Sequence, residues 1–258
     1  MERFIKSVMK NILLIAPHPD DEIVGAFMII KKILKGKRVI VFFLTNGIIN
    51  KNTLWFWQRN KYEEKVIKRK KEMNLSMRLL KIKKFYLQDI STRSLKDNIE
   101  RTYKKILQLK KKHDIDTIFC PAYEGGHQDH DVANFICSRL ANKCKIFEFA
   151  EYNYFKKKIY SNHFFLSSKK DHVIYLTDKE KREKKNFLKI YKSEQQNLNY
   201  ISVEQESYRE LIKYNYKTPP HKGTLFYRRF SFFGWHPRVD SDHPSLICKK
   251  IIESKIFK

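Results

Sequence analysis

The chain has little cysteine. There are four in 258 residues, Cys120, Cys137, Cys144 and Cys248, with no CxxC pair and no framework spacing. That excludes a disulfide scaffold and a zinc site built on thiolates, and it fits a reducing compartment. Long apolar runs are missing too. The longest, such as VIVFFL at 39–44, fall far short of the roughly 18–20 residues that span a bilayer. The first ten residues, MERFIKSVMK, hold no apolar stretch before a small-residue cleavage site, so no secretory leader is expected. Glycine and proline number only seven each. There is no Gly-rich phosphate loop and no RNA- or DNA-binding motif.

Acidic residues are also short, 28 against 54 Lys and Arg, which leaves a net charge of +26. Such a surface attracts polyanions: nucleic acid, anionic membrane, phosphorylated sugars. AT-rich codons, which also favour the abundant Ile, Asn, Tyr and Phe, produce the same bias without selection for binding. Runs such as Lys68–Lys71 read as solvated helix faces, so no specific nucleic-acid partner is expected. The balance of 42% hydrophobic, 14% aromatic and 32% charged residues is that of a globular protein. No composition shift marks a second domain. Residues 1–258 are read as one unit, with a patterned core over 10–150 and a less regular part over 151–258.

The first half alternates strand and helix patterns. Strands are expected at 11–16 (NILLIA), 39–44, 84–87 (KFYL), 116–120 (DTIFC) and 145–149, and helices at 22–35, 58–80, 94–111 and 131–140. Gly36 is a plausible C-cap for the first helix. This alternation implies an α/β fold, a mostly parallel sheet covered by helices on both faces. Further on, 178–191 reads as a helix capped by Thr177 or Asp178, 200–216 as another helix, and the tail from 224 as an irregular subdomain.

Two segments stand out, each directly after an expected strand. One is Ala16-Pro17-His18-Pro19-Asp20-Asp21-Glu22, the other Glu124-Gly125-Gly126-His127-Gln128-Asp129-His130-Asp131. Ligands of open α/β sheets bind at the carboxyl ends of strands, where both segments lie. Their residue types suit one divalent metal. His18, Asp21 and His130 supply two imidazoles and a carboxylate and leave a position open for water, as at a catalytic zinc site. Asp20 remains as a carboxylate able to take a proton from that water. His127 is one helical turn from His130 and can face the same pocket. Asp129 can hold an imidazole in its useful tautomer. Two His and one carboxylate also describe an Fe(II) site. Alone, the first segment also reads as a turn with an N-capping Asp.

The pairing of PHPDDE with GGHQDHD resembles the PIG-L/LmbE-like family of metal-dependent de-N-acetylases. Thr45-Asn46-Gly47 and the Arg69…Glu72 stretch agree more weakly. The resemblance implies a Rossmann-like fold and hydrolysis of an acetamido group on an aminosugar. It implies zinc on His18, Asp21 and His130, Asp20 as general base to the attacking water, and His127 steadying the oxyanion or protonating the leaving amine. It also places an Arg of the long helix near substrate, for which Arg69 is the best match. Gln128 stands where the family often has Pro, and Lys81 where the helix commonly ends in Gly. The expected substrate is an N-acetylglucosamine-type glycoside, nucleotide-sugar or lipid-linked saccharide. The expected location is the cytoplasm, with contact at the inner face of an anionic membrane as an option. The rival readings are an Fe(II) enzyme and a basic nucleic-acid-binding protein. Outside the motifs, Cys120 reads as core, His113, His163 and His172 as surface, and His221, His236 and His243 as loop residues, with substrate contact the lesser option. Trp55, Phe56 and Trp57 read as a loop packed on the core rather than a lid.

Overall fold

The computed structural model describes residues 9–257; the reading of the first ten residues as lacking a leader falls almost wholly outside them. Five parallel strands form the first half: β1 (Asn11–Ala16), β2 (Arg38–Phe43), β3 (Lys84–Leu87), β4 (Thr117–Pro121) and β5 (Lys145–Phe149). Two further strands, β8 (His172–Tyr175) and β9 (Gln205–Glu210), extend the sheet antiparallel beyond β5, giving the order β3-β2-β1-β4-β5-β9-β8. A separate hairpin joins β6 (Tyr152–Phe155) to β7 (Lys158–Ser161).

The parallel strands are apolar because both faces are covered. Leu13, Ile15, Ile40, Phe42 and Ile118 face a layer holding α3 (Ile99–His113), α4 (Gln128–Ser138) and the C-terminal helix α6 (Pro244–Glu253). Their neighbours Ile12, Leu14, Val41, Phe43 and Phe119 face Ile29, Ile30, Met73 and Met77 on the other side. The long helix α2 (Tyr62–Leu79) buries Arg69, Glu72, Met73, Ser76 and Met77, one stripe at helical spacing of which three members are polar.

Three expectations change. The helix over 22–35 is broken into α1 (Asp21–Val24) and a π-helical turn, Ile29–Ile33. The break is splinted by a buried ion pair, Lys184 Nζ to Glu206 at 2.6 Å. Lys184, on α5 (Asp178–Leu188), donates to the Val24 carbonyl, and Glu206 accepts from the Met28 and Ile29 amides. Side chains inserted into the backbone ladder interrupt a helix in this way. The helix expected over 200–216 is instead strand β9, QESYRE. Its Glu206 and Arg209 are buried against Lys184 and Glu148, partners that no local period in the sequence reveals. His113 is buried, not on the surface, with Nε2 2.7 Å from the Tyr86 hydroxyl.

Candidate active site

Strand order reverses between β1 and β4, since β2 lies on one side of β1 and β5 on the far side of β4. A crevice opens at such a switch point. The loop after β1 carries His18, Asp20 and Asp21, and the loop after β4 leads through His127 into α4 with Asp129 and His130. Thr45, after β2, donates its hydroxyl to the Pro17 carbonyl at 2.9 Å and ties the neighbouring strand end to the first motif.

His18 Nδ1, Asp21 Oδ2 and His130 Nε2 form a triangle with edges of 3.2, 3.4 and 3.4 Å. Ligand atoms on a tetrahedral zinc with bonds of about 2.0–2.1 Å lie about 3.3–3.4 Å apart, so this donor set fits one such ion. Each imidazole is backed by a carboxylate on its other nitrogen. His18 Nε2 lies 3.0 Å from Asp129 Oδ2, which leaves Nδ1 for the triangle. Behind His130, Glu151 Oε2 lies 3.3 Å from Nδ1, within ion-pair range though not aligned for a hydrogen bond. The His18 N–H fixes Asp21 by donating to its Oδ2 at 2.7 Å.

Four buried carboxyls, Asp20, Asp21, Asp129 and Glu151, surround these imidazoles. Burial alone would lower the basicity of His18; Asp21 and Asp129 outweigh it and hold the imidazole up at about 10. Burial opposes ionisation of Asp21, yet His130 and His18 pull its carboxyl well below the usual range. The cluster thus favours positive charge at the triangle. A second triple, His18, His127 and Asp129, also lies close together. It is a poorer ligand set. Asp129 already accepts from Thr92 Oγ1 (3.0 Å), the Arg93 amide (2.7 Å) and the Leu95 amide (3.2 Å), besides its contact with His18. His127 Nδ1 accepts from the Asp129 amide at 3.1 Å as the N-cap of α4.

Asp20 stands where an N-cap would, but its side chain caps nothing. Its φ of 131° lies where side chains are disfavoured. Glu22 holds this conformation: Oε2 accepts from the Asp20 amide, and Oε1 from Ser76 Oγ (2.5 Å) and the Tyr191 hydroxyl (2.6 Å). Burial pushes the Asp20 carboxyl well above its usual range, against the pull of Arg69. Arg69 is 2% exposed. Its Nη1 lies 3.3 Å from Asp20 and its Nη2 pairs with Glu194, so the guanidinium is taken up by protein carboxylates although it also lines the cleft. Sequence reasoning missed Glu22 as the anchor of Asp20 and Glu151 as the backing of His130. For Glu151 the only signal was its position just past the carboxyl end of β5.

The triangle lies at the bottom of a cleft of about 910 Å³. Tyr152, Tyr200 and Phe226 line it, with Lys65, Lys68, Lys192, Arg229 and Arg238 among its cations. The Trp55–Trp57 loop is not packed on the core as expected; Phe56 and Trp57 are exposed and Trp55 lines the cleft. His236 lines it too, His243 caps α6, and His221 packs beside Phe155 and Phe165 away from it.

Comparison with known proteins gives the family and the fold. The PIG-L family model, described as GlcNAc-PI de-N-acetylase, matches residues 13–141. A deacetylase of the teicoplanin biosynthesis pathway superposes with a TM-score of 0.61 at 12% identity, over 80% of this chain and 99% of that one. The N,N'-diacetylchitobiose deacetylase of Pyrococcus horikoshii superposes with a TM-score of 0.56 at 22% identity, over 80% and 85%. At these identities the likeness is one of fold. No curated protein sequence matches the chain.

Proposed function

The chain belongs to the PIG-L family of de-N-acetylases, and on that premise we propose that it hydrolyses the acetamido group of an N-acetylglucosamine-type sugar with zinc held by His18, Asp21 and His130. The observation that carries this reading is the ligand triangle with Asp20 beside it. A zinc ion bound there would polarise the amide carbonyl and make a water nucleophilic near neutral pH.

The chain's own residues do the rest. Asp20 is not needed as a ligand, and burial makes its ionised carboxylate a stronger base than usual, against the pull of Arg69. It takes the proton of the attacking water and returns it to the departing amine. Arg69 holds its carboxyl in place. His127 receives the Asp129 amide on Nδ1, so its own proton sits on Nε2. Burial and the nearby His18 keep this imidazole neutral. It therefore acts as a hydrogen-bond donor to the carbonyl oxygen as charge develops, rather than as an acid. Asp129 positions His18. With Arg69 engaged by Asp20 and Glu194, the cations at the cleft rim are the ones placed to meet a phosphate, which favours a phosphorylated or lipid-linked sugar over a plain glycoside. Family membership leaves the nucleic-acid reading without support.

The test is release of acetate and free amine from a panel of N-acetylated sugars, with and without chelator, together with metal analysis of the purified protein. Asp20→Asn is expected to lose about 10²–10⁴-fold in turnover while keeping its metal. Loss of metal from that variant would exchange the roles of Asp20 and Asp21. Iron in place of zinc would revise the cofactor, and no release from any sugar would overturn the reading.

A further inference from the structure

The protein has three tryptophans, and all three stand in one surface patch. Trp55 stacks on Trp57 with ring centroids 5.2 Å apart, and meets Trp235 at 6.1 Å and His236 at 6.2 Å. Phe56, Phe230, Phe232 and Phe233 on the same two segments are exposed, Phe56 by 76% and Phe232 by 89%. With Trp57 and Trp235 that makes six large rings in water, whose apolar surface gains from burial. Trp55, Phe230 and His236 also line the cleft, so the patch borders the candidate active site.

The two segments are braced. Arg59 donates Nε to the Leu54 carbonyl at 3.1 Å and Nη2 to that of Asn52 at 2.9 Å, closing the loop that carries the first aromatics. Arg93 donates to the carbonyls of Pro237, Arg238 and Val239, behind the second. The rings are thus displayed on fixed turns rather than left over on loose ones.

The chemistry of the occupant follows from exposure and charge. A platform for stacking bases or sugars shows one face of each ring. Phe232 shows nearly its whole surface, which suits a medium that surrounds it. Aromatic rings beside Lys and Arg are the composition of a segment seated at a bilayer interface. Lys65, Lys68, Lys192, Arg229 and Arg238 of the adjoining cleft, on a chain of net charge +26, suit anionic headgroups. We propose that this patch docks the protein on an anionic lipid bilayer, with the exposed rings in the headgroup layer and the cleft mouth turned toward the lipid. The docking stands on the patch alone; its use, delivering a membrane-borne substrate, rests on the deacetylase reading.

The experiment is co-sedimentation with phosphatidylcholine vesicles, with and without phosphatidylserine, at low and high salt, while tryptophan emission is followed. Every tryptophan reports on the patch. Binding to the anionic vesicles, weakened by salt and accompanied by a blue shift, is expected. The Phe56→Ser/Phe232→Ser/Phe233→Ser variant keeps the tryptophans and is expected to bind at least about tenfold more weakly. It should still release acetate from a water-soluble N-acetylated sugar. Absence of vesicle binding, or equal binding by the variant, overturns the proposal. So does lipid-free self-association or oligonucleotide binding that the variant abolishes, either of which assigns the patch to another partner. Vesicle binding by a wild-type protein that deacetylates nothing would uphold the docking and overturn the deacetylase reading.

Discussion

Residues 11–149 and residues 152–257 are held by different forces. In the first region β1 buries five of its six residues, all apolar; β2 buries four, all apolar, and β4 buries all five, of which Thr117 alone is polar. In the second, β9 buries Glu206, Ser207, Tyr208 and Arg209, and three of those four are polar. They are satisfied by Lys184 and by the Glu148–Tyr214–Asp171 cluster around Arg209. The first region gains from removing apolar surface from water, which needs no particular partner. The second gains only if each charge finds its counterpart, because an unpaired buried charge is destabilising by several kcal/mol. The candidate catalytic atoms come from the first region, and the second closes over them through paired charges.

Changes at the seam test that contrast. The largest effect is expected from Arg69→Met, which leaves Asp20 and Glu194 facing a buried thioether. Removing one partner of a buried pair is destabilising by about 3–5 kcal/mol, read as a drop in unfolding midpoint, and turnover should fall with it. A variant as stable as the parent would show that the second region is not held by its charges. Next comes Gly126→Ala. A Cβ there would lie 2.1 Å from the Tyr152 carbonyl oxygen, a backbone atom that cannot swing aside. The cost expected from calorimetry is about 1–3 kcal/mol, the range for overpacking, with loss of activity as β6 is pushed off the motif loop. Unchanged melting and turnover would mean the two regions are not in contact there.

The third change concerns pH. Burial, reinforced by the Glu148 charge and opposed by Arg209, pushes the Glu124 carboxyl up to about 8 from an ordinary 4.5. A carboxyl raised in the folded state contributes stability that is full below 4.5 and lost as pH rises through about 8. Melting temperature should therefore fall across that window, and less steeply in Glu124→Gln. Parallel curves for the two proteins would remove Glu124 from the account.

The same contrast explains what could be read from residues alone. Strands β1, β3 and β5 lie where their apolar runs end, and β2 and β4 are displaced by one residue. Thr177 caps α5 with Glu180 in a capping box. The two departures from the family pattern are accommodated locally. Lys81 takes the left-handed conformation, φ 59°, at the place where Gly would be easier. Gln128 donates to Asp240 at 2.6 Å and Asp242 at 3.0 Å, fastening the C-terminal tail. The residues of the two motifs do meet at one point. What stayed hidden were Glu22, Glu151 and Glu206, buried acids whose partners are up to 178 positions away. No local period marks a residue whose environment is set by a distant chain segment.

One residue links the rim of the cleft to its floor. Arg93 gives its amide to Asp129, which steers His18, and its guanidinium to the turn beside Trp235 and His236. The aromatic tips and the ligand triangle are therefore fixed to opposite ends of a single short strut. On the proposed docking, with those tips resting on a bilayer, the strut would work as a depth gauge, setting the height above the lipid at which an acetamide could be cut. A sugar carried too close to its anchor, or on too long a stalk, would miss that height. Selection would then run on reach, independent of any contact with the rest of the molecule.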